Sequence, residues 1–174
     1  MDLKKLKVLS IIADEYEDLE FWVPAMRLQE EGIEIVVAGK TAGTSFRGKS
    51  GVSARSQYSF ASVDPSKYHA LLIPGGWAPD KLRRDPVVLE ITRTMYQANK
   101  IIGMICHAGL VGISAGIVSG HKATGSEGIK DDLINAGAEW VDEPAFRSGN
   151  LVWGRVVADI PYYCRELVAA LKTL

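Results

Sequence analysis

The sequence predicts an α/β fold, a doubly wound and mainly parallel sheet with helices on both faces, of the flavodoxin-like type. The first basis is four apolar, often β-branched runs, at 7–13, 33–39, 69–76 and 100–106, which are typical of strands covered on both faces. The second is that helical segments separate these runs, as in strand–helix–strand units. Because no linker, repeat or low-complexity tract interrupts the pattern, we expect one domain over residues 1–174.

The predicted helices begin and end at recognisable residues. Residues 18–32 form a helix that ends at Gly32, and Pro24 inside it removes one backbone donor. Asp85 and Pro86 begin another helix, as an N-cap acid followed by proline. The remaining predicted elements are a hairpin or irregular excursion over 40–60, helices after Cys106, over 127–137 and after Asp159, and weak strands near 139–141, 145–147 and 151–157.

Length, composition and charge restrict the class of protein. A chain of 174 residues with 47% hydrophobic and 24% charged residues has ordinary globular composition. A formal net charge of −1 gives no reason to expect nucleic acid or an anionic membrane as a partner. Two cysteines without a C-x-x-C motif, and no His–Cys ligand spacing, predict neither a disulfide framework nor a metal site. We therefore predict a cytoplasmic protein without a signal peptide, a membrane span or a cofactor.

Three segments with chemistry-bearing residues follow predicted strands. They are "ADEYED" at 13–18, "PGGWAPD" at 74–80 and "CHAG" at 106–109. In an open parallel sheet, ligands bind beyond the carboxyl ends of the strands, where the strand order reverses. The sequence therefore predicts that these segments meet at one functional site. A dinucleotide site is excluded, because acids stand where G-x-G-x-x-G would follow the first strand.

Cys106 has two interpretations from its position alone. At a strand-to-helix junction, the following helix's N–H groups and dipole favour a thiolate and lower the pKa of the thiol. A sharp turn there also exposes the side chain and aims the next N–H at a developing oxyanion. Alternatively, Cys106 is a small buried hydrophobe, as many isolated cysteines are. Cys164 lies on the apolar stripe of the last helix and is predicted to belong to the core.

The neighbouring residues leave further alternatives open. His107 could act as a base or acid, donate its backbone N–H, or only begin the helix, and adjacent side chains on an element point apart. The acids of segment 13–18 favour the N-terminus of a helix, but one of them could enter the cleft with a raised pKa and hydrogen-bond the nucleophile. Gly75 and Gly76 permit a sharp turn that presents N–H groups to a ligand.

Together these segments resemble the ThiJ/PfpI family, which has the class I glutamine amidotransferase-like fold. The resemblance covers nearly the whole chain. It implies that Cys106 is the nucleophile at a strained elbow and that Glu17 is the protonated glutamate that hydrogen-bonds the sulfur. It further implies oxyanion donors at Gly76, beside Gly75 in the same loop, and at the backbone of His107. The quoted motifs are "ADEYEDLEFWVPAMRLQEEG", "LLIPGGWAPDKLR", "ICHAG" and "GIKDDLINAGAEWVDE".

The resemblance also implies a homo-oligomer, a dimer or a hexamer. In PfpI-type oligomers a neighbouring subunit supplies a glutamate that orients the histidine after the cysteine. The matching position here is Asp80, which is one methylene shorter. The complete site is then expected near a subunit interface.

Several residues near the predicted site depart from the family pattern. Ala108 and Gly109 follow Cys-His where the family usually has Gly-Pro, and Met104 is bulkier than the usual small residue. Ser126 stands where PfpI-type enzymes often have a tyrosine, and Val157 replaces a proline. These departures leave the nucleophile in place and alter the expected shape of the pocket.

Three functions remain open at this stage. The leading hypothesis is a cysteine-dependent enzyme acting on small reactive carbonyls, of the glutathione-independent glyoxalase III or deglycase type, with Cys106 as nucleophile and Glu17 as proton carrier. The second is an intracellular peptidase or amidase that uses Cys106, His107 and Asp80 of a neighbouring subunit on a peptide substrate. The third is a redox-sensing stress protein or chaperone in which Cys106 oxidises to a sulfinic acid.

Overall fold

The computed structural model describes residues 2–174, and its centre is a seven-stranded, mainly parallel sheet. The strand order is β10-β11-β7-β6-β1-β2-β5, in which only the pairing of β10 with β11 is antiparallel. Two further two-stranded sheets, β3-β4 and β8-β9, lie outside it. The strands are β1 (Lys7–Ile11), β2 (Glu34–Gly39), β3 (Ser45–Arg47), β4 (Ser53–Arg55), β5 (Tyr58–Ser59), β6 (Ala70–Ile73), β7 (Ile101–Ile105), β8 (Lys122–Ala123), β9 (Glu139–Trp140), β10 (Ala145–Ser148) and β11 (Leu151–Gly154).

Six α-helices accompany these strands, so the predicted α/β class is confirmed. They are α1 (Asp18–Glu30), α2 (Ala78–Leu82), α3 (Pro86–Gln97), α4 (Gly109–Ala115), α5 (Lys130–Asn135) and α6 (Ile160–Leu171). The predicted start of α3 is confirmed by its N-cap, since the Asp85 carboxylate accepts a hydrogen bond from the Val87 N–H at 3.0 Å. Within residues 2–174, no helix combines the length and apolarity needed to cross a bilayer.

Alternate residues of the central strands enter two hydrophobic clusters on opposite faces of the sheet. Val8 and Leu72 belong to the cluster beneath α6, whereas Leu9 and Ile73 belong to the cluster beneath α3 and α4. This division follows from the two-residue period of a strand. Cys164, on α6, is buried in the first cluster, which confirms its prediction as a core residue.

The predicted strand ends differ from the observed ones on the side where the site lies. β1 ends at Ile11, two residues before the end of its apolar run, and β6 ends at Ile73, three residues before the end of its run. The chain leaves the sheet there to form the loops that precede α1 and α2. The short helix α2 was not predicted, because the "PGG" turn before it masked the helical character of "APDKL". The predicted helix over 127–137 is a 3-10 turn followed by α5.

The predicted hairpin in 40–60 is the β3–β4 pair, and Asp18 fastens its loop to the start of α1. The Asp18 carboxylate is 4% exposed and accepts hydrogen bonds from the N–H groups of Ser50 and Val52, both at 2.7 Å. In addition, the Lys49 N–H donates to the carbonyl of Tyr16 at 2.8 Å. The hairpin loop therefore has a fixed position beside the carboxyl end of β1.

We expect Asp18→Ala to destabilise the protein by about 2–4 kcal/mol, because it removes a buried carboxylate that accepts two backbone hydrogen bonds. Urea unfolding measures the loss, and faster amide exchange at Ser50 and Val52 would locate it in the hairpin loop. Asp64 is a matched control, since it also accepts two hydrogen bonds, from Ser66, but at an exposed site. A loss for Asp18→Ala no larger than that for Asp64→Ala would contradict this role.

Candidate active site

The three loops that follow β1, β6 and β7 meet at one edge of the sheet, as the sequence predicts. The Glu17 N–H donates to the carbonyl of Gly75 at 3.2 Å, and Tyr16 pairs with Gly76 in an isolated antiparallel bridge. A Cβ added to Gly75 would lie 2.8 Å from the Cβ of Cys106, so the loop after β6 also closes against the end of β7.

Cys106 occupies a strained backbone position at this junction. Its φ is +58°, in the left-handed region that non-glycine residues rarely adopt. It begins a 3-10 turn directly after β7, and α4 follows this turn. Its carbonyl accepts a hydrogen bond from the Ser126 N–H at 3.1 Å. The strand-to-helix turn therefore holds the cysteine in the conformation expected of an elbow.

Glu20, in the first turns of α1, places its carboxyl against the Cys106 thiol. The side chain is 3% exposed, and Oε2 accepts a hydrogen bond from the Gly75 N–H at 2.8 Å. Oε1 is buried without a hydrogen-bond partner, and a Cβ added to Gly75 would clash with Oε2 and lie 2.8 Å from the Cβ of Cys106, so the carboxyl and the cysteine flank the same point of the backbone. Burial raises the pKa of Glu20 to about 7. The carboxyl can therefore hold or release a proton near neutral pH.

This arrangement corrects two predictions. Glu17 does not hydrogen-bond the sulfur: it directly precedes α1 and forms an ion pair with Lys49 at 3.3 Å. The Glu20 carboxylate occupies the position beside Cys106 that was predicted for the Glu17 carboxylate. The two acids are one helical turn apart, and only the Glu20 side chain bonds to the Gly75 N–H. Gly75 is not free as an oxyanion donor, since its N–H is bonded to Glu20. A signal for Glu20 was present in the sequence: it lies four residues before Pro24, on the same buried face of α1, where an acid needs a partner.

The predicted lowering of the Cys106 pKa is also wrong. Burial and the neighbouring Glu20 carboxylate raise the pKa of the thiol to about 12, although hydrogen bonds from the His107 and Gly76 N–H groups oppose this. The helix N-terminus is thus outweighed by desolvation. Near neutral pH the thiol therefore keeps its proton, whereas the Glu20 carboxyl is partly ionised and able to accept that proton. A thiolate forms there when Glu20 carries that proton.

Gly76 adopts φ +72°, and a Cβ at this position would lie 2.5 Å from the carbonyl oxygen of Glu15. Only glycine fits this close approach of two loops. Its N–H is one of the two backbone donors to the Cys106 sulfur, and His107 provides the other. The N–H groups of Gly76 and His107, both predicted as oxyanion donors, therefore lie beside the Cys106 sulfur.

The side chain of His107 also reaches the sulfur, although adjacent side chains were expected to point apart. Its Nδ1 lies 3.2 Å from the Cys106 Sγ, and its half-buried ring lies 5.8 Å from the ring of Trp77. Burial, followed by the charge of Lys49, lowers the pKa of His107. The imidazole is therefore neutral near pH 7 and able to accept a proton.

Asp80 does not join this group within its own chain. It lies on α2, where its exposed carboxylate forms an ion pair with Arg84 at 2.8 Å. Asp80 is also not among the residues that line the pocket around Cys106. Its predicted role across a subunit interface stays a prediction.

The pocket around the sulfur has a volume of about 260 Å³. Val157 lines it and is 36% exposed, whereas Met104 is fully buried beneath α4 and away from the pocket. Lys49 was not predicted as a residue of the site, because it reaches the pocket from the β3–β4 hairpin and not from a loop that follows a central strand. The full lining is Glu17, Glu20, Lys49, Gly76, Trp77, Cys106, His107, Val156, Val157 and Ala158.

The fold and the site define a doubly wound α/β protein with a cysteine on a strained turn at the end of a central strand. Comparison with known proteins narrows this class. The sequence profile of the DJ-1/PfpI family matches residues 6–170, and the chain belongs to this family.

Relatives and solved structures agree with the assignment. The chain is 43% identical to the deglycase PH1704 of Pyrococcus horikoshii, over 96% of this chain and all of that protein. It is 37% identical to protein/nucleic acid deglycase 2 of Escherichia coli, over 95% of this chain and 97% of that one. A two-domain Anabaena variabilis protein with DJ-1/ThiJ/PfpI-like and ferritin-like domains superimposes with a TM-score of 0.94 at 32% identity, covering 97% of this chain and 48% of that chain.

The raised pKa of Glu20 predicts a pH dependence of folding. Between pH 4.5, the pKa of an ordinary glutamate, and about 7, the folded protein retains a proton that the unfolded chain has lost. Stability from this group is therefore complete below pH 4.5 and is lost as the pH rises to 7, a change of about 3 kcal/mol. We expect Glu20→Gln to remove this loss, so the variant's stability relative to wild type rises across that window. Urea unfolding at several pH values measures it.

Glu31→Gln is the control for that experiment. The exposed Arg27–Glu31 ion pair lowers the pKa of Glu31, so its stabilising effect is present above pH 4.5 and lost only in more acid solution. The difference between Glu31→Gln and wild type should be constant from pH 5 to 8. If Glu20→Gln gave the same constant difference, the raised pKa of Glu20 would be wrong.

Proposed function

We propose that this protein is a glutathione-independent enzyme for small reactive carbonyls, of the glyoxalase III or deglycase type. The observation that carries the proposal is the buried pair of Cys106 thiol and Glu20 carboxyl, which face a pocket of about 260 Å³. A space of this size favours a small substrate, because pockets for drug-sized ligands are usually larger. The relatives named deglycases support the same class.

The proposed reaction begins when the Cys106 thiol transfers its proton to the Glu20 carboxylate. With this proton on Glu20, the Cys106 thiolate adds to the aldehyde carbon, and the new alkoxide takes a proton to give a hemithioacetal. The N–H groups of Gly76 and His107 are close enough to the sulfur to bind the developing oxyanion. Moving the C1 proton to C2 then gives a thioester, and water releases a hydroxy acid and the free thiol. Glu20 carries protons in these steps.

Incubation of purified protein with methylglyoxal tests this proposal, with lactate as the measured product. We expect Cys106→Ser to abolish lactate formation and Glu20→Gln to slow it by roughly 100-fold, since proton transfer contributes about 10²–10⁴-fold. Cys164→Ser is the matched control, because this buried cysteine lies on α6 and should leave the rate unchanged. Wild-type protein that forms no lactate, or Cys106→Ser with an unchanged rate, would overturn the proposal.

A second candidate, a peptidase, is favoured by the 3.2 Å contact between Cys106 Sγ and His107 Nδ1. In this function the neutral imidazole accepts the thiol proton, and a carboxylate must orient the ring. Within its own chain the Asp80 carboxylate pairs with Arg84 instead. For this second function we therefore propose a homo-oligomer in which Asp80 of one subunit reaches His107 of the next.

Cleavage of a fluorogenic peptide tests this second function. We expect Asp80→Ala to lower kcat by about 10–100-fold, whereas Arg84→Ala retains activity because it leaves the carboxylate in place. Sedimentation of the same samples gives their oligomeric state. Full peptide cleavage by a monomer, or by Asp80→Ala, would rule out the shared site.

A further inference from the structure

A positively charged residue of the pocket takes no part in the steps described so far. Lys49 is the single cation among the described residues that line the space around Cys106. Its side chain is 52% exposed, and its ammonium forms an ion pair with Glu17 at 3.3 Å. The pair lies at the pocket surface, where a ligand group can replace one of its partners.

The structure holds Lys49 at this place by buried contacts. The buried carboxylate of Asp18 binds the N–H groups on the C-terminal side of Lys49, as described above, and the Lys49 N–H is bonded to Tyr16. The fully buried Tyr16 also donates its hydroxyl to the carbonyl of Val52 at 2.8 Å. A loop that served only to join β3 to β4 would need none of these contacts. Their consequence is a fixed backbone position for Lys49 beside the pocket.

The charge of Lys49 acts on both groups that flank the cysteine. It contributes to the lowered pKa of His107, after burial, and it opposes the rise in the pKa of Glu20. The ammonium is therefore near enough to influence charge that develops in the pocket. The N–H groups of Gly76 and His107 face the sulfur, so they lie beside the substrate oxygen on the carbon that the sulfur attacks. An oxygen on the next substrate carbon therefore needs another partner.

We propose that Lys49 is a catalytic residue that binds the oxygen on the carbon next to the reacting aldehyde. The inference rests on the proposed function, whose test substrate methylglyoxal carries such an oxygen at C2. After the thiolate has added to C1, removal of the C1 proton leaves an electron pair that forms the C1–C2 double bond of an enediolate. The C2 oxygen then carries the negative charge, which the Lys49 ammonium stabilises. Return of the proton to C2, with transfer of the C1 hydroxyl proton to the C2 oxygen, gives the thioester, so C1 is oxidised and C2 reduced without an external oxidant.

The test compares Lys49→Met with Lys49→Arg and with a matched control, Lys7→Met. Lys7 also forms a half-exposed ion pair, with Glu34 at 2.8 Å, but at the opposite, N-terminal end of β1. With methylglyoxal as substrate, we expect Lys49→Met to lower kcat at least tenfold, Lys49→Arg to restore most of it, and Lys7→Met to equal wild type. Thermal unfolding of each variant verifies that the protein is folded.

A kinetic isotope effect separates this role from a purely structural one. If Lys49 stabilises the enediolate, its loss makes C1–H cleavage more rate-limiting, and methylglyoxal deuterated at C1 shows a larger effect in Lys49→Met than in wild type. A rise in KM with unchanged kcat and isotope effect would overturn the proposal for Lys49 alone. Wild-type protein that forms no lactate would overturn the proposed function, and the role of Lys49 with it.

Discussion

The contact between the Glu20 carboxyl and the Cys106 thiol is the constraint on which the rest of the site depends. The Glu20 carboxyl is buried and the Cys106 side chain is partly buried, and desolvation disfavours the charged form of each, so near neutral pH the folded pair holds more protons than the same two groups in water. The backbone donors are distributed between them: Gly75 donates to the carboxyl, whereas Gly76 and His107 donate to the sulfur. The two glycines of one turn therefore stabilise opposite partners. In the proposed function, a thiolate then forms by transfer of the thiol proton to the Glu20 carboxylate, and not through a low pKa of the cysteine.

The parallel sheet explains why these groups can be held so closely. The carboxyl ends of β1, β6 and β7 lie side by side, so the first residues of α1, the glycine turn and the 3-10 turn at Cys106 share one edge. The left-handed backbone of Cys106 costs of order 1–3 kcal/mol. Buried strands on both sides of β7 and the hydrogen bond from Ser126 to the cysteine carbonyl hold the residue in that conformation. The stable part of the fold thus maintains the strain that exposes the sulfur.

The sequence predicts the fold class, the three converging loops and the place of Cys106, because apolar runs and turn residues are local signals. It does not distinguish Glu17 from Glu20, since both follow β1 and the choice depends on where the Gly75 N–H points. A partial signal exists, because Glu20 belongs to the buried stripe of α1 and an acid on such a stripe needs a partner. The pKa of the cysteine was mispredicted for a related reason. The helix N-terminus is visible in the sequence, whereas the burial and the facing carboxylate that outweigh it are products of the tertiary structure.

The acids that follow β1 have a further role, which is to attach the β3–β4 hairpin to the site. Asp14 accepts a hydrogen bond from the Arg47 N–H at 2.8 Å, Asp18 binds the hairpin loop, and Glu17 pairs with Lys49. The acidic run thus binds the hairpin through backbone hydrogen bonds and one ion pair, and these contacts build one wall of the pocket. Because the hairpin forms its own two-stranded sheet, its residues can change without disturbing the strands that carry Cys106 and Gly76. The fold therefore separates the Cys106–Glu20 pair, positioned by the parallel sheet, from the hairpin wall of the same pocket.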